Sequence, residues 1–251
     1  METRRPYVLS LAGLDPSAGA GLLADIKTFE TLGTYGLGVC TALTVQTDTR
    51  FLSVDWQSAG QIIAQATPLL ETFPVEYCKI GIMQDADTIL EVIRAIRALQ
   101  PDIRFILDPV LKASAGFTFH DTTQLSVWQE VLKQVYLLTP NYHEALLLSG
   151  KEDGHAAATT LAAYSAVLLK GGHRKDRQGV DTLYMGRTDM IDIPASSTNV
   201  FPKHGSGCVL SAAITAQLAT GCSLPTACIT AKLYTEKFLA SHSSLLGYHI
   251  T

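Results

Sequence analysis

Residues 7 to 33 read YVLSLAGLDPSAGAGLLADIKTFETLG. Tyr7–Ala12 is a short apolar run of the kind that forms a buried strand. Gly13–Gly19 is a loop rich in Gly, Pro and Ser. Ala20–Leu32 sets Leu22, Leu23, Ile26, Phe29 and Leu32 at helical spacing, and Gly33 follows as a C-cap. The same order recurs along the chain. Strands are predicted at Val39–Val45, Tyr77–Ile80, Phe105–Val110, Val135–Thr139 and Ala166–Leu169, with a hairpin at Val180–Met185 and Met190–Ile193 around Gly186. Helices are predicted at Ser58–Thr72, Asp87–Leu99, Thr122–Gln134, Ser206–Thr220 and Leu224–Ala240. Short apolar strands separated by helices imply parallel β-α-β units, hence an α/β doubly wound, mostly parallel sheet flanked by helices. No linker or repeat divides residues 1–251, which read as a single domain. In such sheets ligands sit beyond the C-terminal strand ends. The loops at Gly13, Gln46, Gly81, Asp108, Pro140 and Gly171 should therefore converge on one edge.

Composition narrows the possibilities. The chain has 251 residues, 47% hydrophobic and 17% charged, which excludes disorder. Its net charge of −4 argues against a nucleic-acid binder, which needs a basic face. No run of about 18 apolar residues is present, so no membrane helix is expected. The five cysteines, Cys40, Cys78, Cys208, Cys222 and Cys228, are odd in number and form no CxxC pair. A reducing cytoplasm fits that pattern better than a disulfide framework.

Several motifs carry chemistry. Gly19–Ala24 matches the dinucleotide fingerprint GxGxxA, but that fingerprint needs its first glycine directly after the strand. Gly21 to Thr28 nearly spells a P-loop, yet Ile26 replaces its second glycine and the segment is helical. Neither reading holds. In Lys203-His204-Gly205-Ser206-Gly207-Cys208, two glycines precede an apolar helix, a combination that binds phosphate or developing negative charge. Cys208 lies in the first turn, where a thiol pKa tends to fall. The alternative is a glycine turn followed by a small buried cysteine. Asn141 and Glu144 share a helix face and suit a hydrated Mg²⁺, or are an ordinary N-cap and first-turn acid. Lys170, after an apolar strand, meets a nucleotide phosphate or is a solvated lysine before a turn. Asp108 at a strand end steers a metal or fixes a loop.

Together, Ser10–Gly21, Ala24–Phe29, Thr41–Gln46, Lys79-Ile80-Gly81, Leu107–Val110, Thr139-Pro140-Asn141, Leu169–His173 and His204–Cys208 resemble, in order and spacing, the hydroxymethylpyrimidine/phosphomethylpyrimidine kinases of the ribokinase-like superfamily. The resemblance implies an ATP- and Mg²⁺-dependent kinase of thiamine biosynthesis. It would phosphorylate 4-amino-5-hydroxymethyl-2-methylpyrimidine, then the monophosphate to the diphosphate. Gly13, Asp25, Gln46 and Val110 would line the pyrimidine site. Gly205, Ser206, Gly207 and Cys208 would form the anion hole, with a lowered-pKa Cys208 thiolate assisting removal of the alcohol proton. Lys170, Gly171 and Asn141 would contact the nucleotide, and Asp108 and Glu144 would organise the metal. A homodimer is implied, and Lys112 to His120 is the candidate lid. Ser206 stands where the family usually has Thr, Ala18 where Gly is common, and Ile82 where Met is expected. A pyridoxal kinase on the same scaffold, or a ligand-binding protein without turnover, are the alternatives.

Overall fold

The computed structural model describes residues 5–111, 125–172, 177, 179–197 and 199–250. In chain order these form β1 (Tyr7–Leu14), α1 (Gly21–Thr31), β2 (Tyr35–Gln46), β3 (Phe51–Trp56), α2 (Ala59–Thr72), β4 (Val75–Ile80), α3 (Ala86–Leu99) and β5 (Arg104–Leu107). They continue with α4 (Leu125–Leu132), β6 (Leu137–Leu138), α5 (Tyr142–Ser149), α6 (Gly154–Leu161), β7 (Ala166–Leu169), β8 (Asp181–Tyr184), β9 (Met190–Ile193), α7 (Ser206–Ala219) and α8 (Leu224–Ala240). Among the described residues one nine-stranded sheet runs β3-β2-β1-β4-β5-β6-β7-β8-β9. The six strands from β2 to β7 are parallel, and β3, β8 and β9 add antiparallel edges.

The expected doubly wound architecture follows from strand alternation. Successive strand side chains point to opposite faces. In β5, Phe105 and Leu107 join the core under α2 to α6, while Ile106 joins the core under α7 and α8. β7 repeats this with Val167 and Leu169 against Leu168. The central strands are thus apolar on both faces, as a sheet covered on both sides requires.

Local chemistry sets the element ends. Ser58 caps α2 in a capping box with Gln61, and Asp85, Asp153 and Ser223 cap α3, α6 and α8. Gly33, at φ +79°, ends α1 as the sequence implied. Gly21 to Thr28 lies in α1, which leaves no P-loop nest there.

Some boundaries differ from expectation. β2 begins at Tyr35 rather than Val39, because Gly36 and Gly38 act as contact sites rather than breakers. A Cβ on Gly36 would meet Ile26 at 2.9 Å, and one on Gly38 would meet Leu22 at 3.1 Å. β1 extends through Gly13 and Leu14, which pair with Ala42 and Leu43 beyond a register shift. β3 and α6 carry no sequence prediction, and of α5 only the start, at Asn141 and Glu144, is read from the sequence. β3 is an edge ribbon with little buried surface, and α5 and α6 are only 8 residues each. Phe105 is fully buried at the centre of the sheet. Phe105→Ala should lower unfolding free energy by about 3–5 kcal/mol in chemical denaturation.

Candidate active site

The C-terminal ends of β1, β2, β4, β5 and β7 open on one cavity of about 680 Å³. Gly13, Gln46, Gly81, Asp108, Asn141 and Lys170 all line it, so four of the six predicted loop positions contribute directly, and the Pro140 and Gly171 loops do so through their neighbours Asn141, Lys170 and Gly172. The start of α7 closes the cavity from the helix side.

That helix start is shaped by Gly205. Its φ is +76°, and no side chain caps the first turn. The N–H groups there are left for a ligand, and the helix dipole adds positive potential. A Cβ on Gly205 would lie 2.1 Å from the Gly19 carbonyl oxygen and 2.7 Å from Ala20 Cα. The α7 entry and the β1-α1 loop therefore touch backbone to backbone. His204 ties them further by donating from Nε2 to Asp15 Oδ2 at 2.9 Å. Ser17 and Ala20 donate to the same carboxylate. Burial alone would raise the Asp15 pKa; the bonds from His204, Ser17 and Ala20 outweigh it and hold the carboxyl near about 2. The His204 N–H donates to the Leu245 carbonyl at 2.9 Å, and Leu246 packs on Gly19. The chain beyond α8 thus straps both loops.

Beneath the first turn of α7 lies a buried charge cluster. Lys170 Nζ donates to Asp108 Oδ1 at 2.8 Å, and a Cβ on Gly207 would sit 3.3 Å from that ammonium. Burial opposes charge on Asp108, but Lys170 and then Lys79 outweigh it and keep the carboxyl below the usual carboxylate range. Burial likewise works against Lys170, yet Asp108 and Glu144 hold it charged, above the ordinary lysine range. Glu144 moves the other way. Burial, only partly countered by Lys170, pushes its carboxyl up to about 7. Asn141 accepts from the Glu144 N–H at 2.9 Å, and its own N–H donates to Glu144 Oε2 at 2.7 Å. The two sequence readings of this pair coincide: it is an N-cap box, and both residues face the cavity.

A second ion pair stands behind the α1 side. Lys79, fully buried on β4, donates to both Asp25 oxygens at 2.8 and 3.0 Å, and Ser10 donates to Asp25 at 2.6 Å. Burial works against the ammonium, but Asp25 holds it firmly charged.

Most predicted residues meet in this cavity. Gly13, Gln46 and Val110 line it, as do Gly205 to Cys208, Asp108, Asn141, Glu144 and Lys170. Three expectations need correction. Asp25 does not reach the cavity: it is sealed behind Lys79, which occupies the wall instead. Gly171 is a packing glycine; its N–H donates to Asp181 at 2.6 Å and a Cβ would fall 2.0 Å from the Val180 carbonyl oxygen. Gly172 and Gly179 form the wall there. Cys208 shifts opposite to the expected direction. Burial pushes its thiol up to about 11, and Lys79 recovers only part of that shift. The proposed lid, Lys112 to His120, and His173 lie outside the described residues.

Sequence reasoning assigned no role to Asp15, His204, Lys79 or the distal wall. Asp15-Pro16-Ser17 carried the signal of an Asx turn. Lys79, between apolar neighbours in a strand, was a buried-cation signal. The distal wall joins Ala195 and Val200, between β9 and α7, to Lys232, Glu236 and Leu239 of α8, and no local motif marks that meeting.

A family model described as phosphomethylpyrimidine kinase matches residues 15–250. The chain belongs to the phosphomethylpyrimidine kinase family. It is 34% identical over 246 residues to a hydroxymethylpyrimidine/phosphomethylpyrimidine kinase of Rhizobium meliloti, covering 94% of this chain and 91% of that one. Among solved structures it is similar to a phosphomethylpyrimidine kinase from Clostridium difficile, with a TM-score of 0.77, 29% identity and coverage of 92% and 98%. It is also similar to a pyridoxal kinase from Staphylococcus aureus in complex with ADP, with a TM-score of 0.82, 28% identity and coverage of 95% and 89%. The chain is therefore a kinase-family α/β protein of ribokinase-like fold.

Gly205→Ala should cost about 1–2 kcal/mol from the left-handed backbone alone, with the backbone clash added. Phosphoryl transfer should fall at least about 100-fold as the donors at the α7 start are displaced. Thermal melting and ADP release read the two effects separately.

Proposed function

We propose that this chain transfers the terminal phosphoryl group of ATP to the hydroxymethyl group of 4-amino-5-hydroxymethyl-2-methylpyrimidine, and then to the resulting monophosphate, in thiamine biosynthesis. One observation carries this reading. A single cavity joins the uncapped start of α7, the Lys170–Asp108 pair beneath it, and the Gln46 amide at its β2 end. Phosphoryl transfer needs positioning and charge stabilisation more than covalent chemistry.

The residues divide the work by position. Gln46, Gly13 and Val110 bind the pyrimidine, and Gln46 meets the aminopyrimidine edge. The N–H groups of Ser206, Gly207 and Cys208 receive charge developing on the transferred group. Lys170 bears on the nucleotide phosphates. The distal wall, lined by apolar Val200 and Leu239 together with Lys232 and Glu236, accommodates the base. The donor set fits Mg²⁺. Asp108 and Glu144 offer carboxylate oxygens, and no group of three His, Cys, Asp or Glu able to hold a metal occurs among the described residues. A cation here takes its remaining ligands from phosphate and water, as Mg²⁺ prefers. Bound there, it would neutralise phosphate charge.

Cys208 then works as a neutral thiol. Its value is that it adds no negative charge where a phosphorylated acceptor must sit. Cys208→Asp should spare the first step within about tenfold while depressing the second by about 100-fold or more, since like charges at contact distance cost several kcal/mol. Steady-state assays with each acceptor measure the split; equal losses would remove this role.

Glu144 gives a pH signature. Its carboxyl titrates near about 7, so it is mostly protonated at pH 6 in the free protein. Metal binding must expel that proton. The Mg²⁺ concentration needed for half-maximal rate should rise by up to about tenfold per pH unit below 7. Glu144→Gln should raise that concentration at pH 8 and flatten its pH dependence.

The same scaffold supports a second reading, a pyridoxal kinase, on the likeness to the Staphylococcus aureus structure. ADP release with Mg-ATP, comparing the hydroxymethylpyrimidine with pyridoxal at equal concentration, decides between them. ATP binding without turnover on either would leave a ligand-binding protein. The proposal also takes in a homodimer, for which the β2-β3 ribbon exposes Leu43, Val45 and Leu52. No described helix is long and apolar enough to cross a membrane, and all five cysteines are unpaired, which supports a cytoplasmic setting.

A further inference from the structure

Gln46 ends β2 at the cavity wall, and its amide has two unlike ends. Oε1 accepts and Nε2 donates. The end that meets a ligand decides which ligand fits. A short chain of bonds settles the matter. Thr44 Oγ1 donates to the Leu14 carbonyl at 2.8 Å. A carbonyl oxygen only accepts, and a hydroxyl carries one hydrogen. Toward Gln46, also 2.8 Å away, Thr44 Oγ1 is therefore left as an acceptor. The atom facing it is Nε2, by valence alone. Oε1 is the amide's other end.

The anchor is rigid. Thr44 is buried, and Leu14 pairs with Leu43 across the β1-β2 ladder. The β2-β3 register shift between Val45 and Gln46 places its extra residue, Leu52, in β3, so Thr44 and Gln46 keep the alternation of β2 and share one face. Thr44 contributes nothing to the cavity wall itself.

We propose that Thr44 is a specificity-positioning residue: it locks the Gln46 amide with Oε1 as the fixed acceptor, selecting an acceptor ring with an amino donor and rejecting a ring of the same shape with a carbonyl oxygen there. The inference rests on the reading of this cavity as the site of an aminopyrimidine kinase. An amino group facing Oε1 makes a hydrogen bond. A carbonyl oxygen facing it leaves two acceptors desolvated and opposed. An unlocked amide would turn over and serve either ring, so the discrimination resides in the Thr44 hydroxyl as much as in Gln46.

The test compares kcat/KM for 4-amino-5-hydroxymethyl-2-methylpyrimidine and its 4-oxo counterpart with Mg-ATP. Wild type should prefer the amino ring by about 100-fold or more. Thr44→Val should shrink that ratio about tenfold, mainly by gaining rate on the 4-oxo ring, and Thr44→Ser should restore it. A merely structural Thr44 would lower both rates and leave the ratio unmoved, which overturns the proposal. So does a wild type that treats both rings alike, a result that needs no variant to fold. Thr44→Ala serves as a second variant if Thr44→Val is unstable. Failure of the kinase reading looks different: wild type releases no ADP with the amino ring. Calorimetric titration with each ring then reads the preference directly, and equal affinities or no binding overturn the lock.

Discussion

The contact between Gly205 and the backbone of Gly19 and Ala20 is the constraint on which the site depends. A helix start presents free N–H groups only where nothing caps it, and uncapped helix starts are unstable when buried. Here the left-handed Gly205 lets α7 begin against the β1-α1 loop with no side chain between them. The Asp15 carboxylate collects donors from both sides of that seam. The geometry that leaves the α7 donors open is thus held from outside the helix, by a residue 189 positions earlier.

The charges under the seam follow from the same arrangement. A buried cation is tolerated only with a partner. Lys79 is matched by Asp25 and Lys170 by Asp108, so the two ammonium groups stay charged inside the sheet. Among the described residues Glu144 shares Lys170 with Asp108, and burial outweighs that cation and brings its carboxyl toward neutrality. The cluster stands ready for added positive charge at that point. Cys208 sits between the pairs and responds to both, yet burial dominates and leaves it protonated.

The sheet was legible because its strands are apolar on both faces and its helices carry clear caps. Ala166–Leu169 and Leu224–Ala240 fall where the pattern placed them, to the residue. β3 was hidden because an edge ribbon buries too little to impose a pattern. The site was legible where one loop carries its own chemistry, as at Gly205–Cys208 and Lys170. It was misread where burial decides. Helix-start reasoning pointed to a lowered Cys208 pKa, but the desolvation that reverses it depends on tertiary packing. Asp25 looked like a ligand contact for the same reason: its partner Lys79 lies 54 residues away. The Asp15–His204 bridge and the distal wall join still more distant segments, which no local motif records.

The strap beyond α8 has a consequence for biogenesis. Leu245 accepts from the His204 N–H and Leu246 covers Gly19, so the seam between residues 15 and 205 is finished by residues that follow α8. The parallel core can assemble earlier, since β1, β2 and β4 pair within the first third of the chain. A nascent chain therefore passes through a stage in which the sheet exists and the anion-binding turn does not. Long-range closure of this kind is entropically late. Competence to grip a phosphate arrives only once the segment after α8 is in place, later than the framework that will carry it.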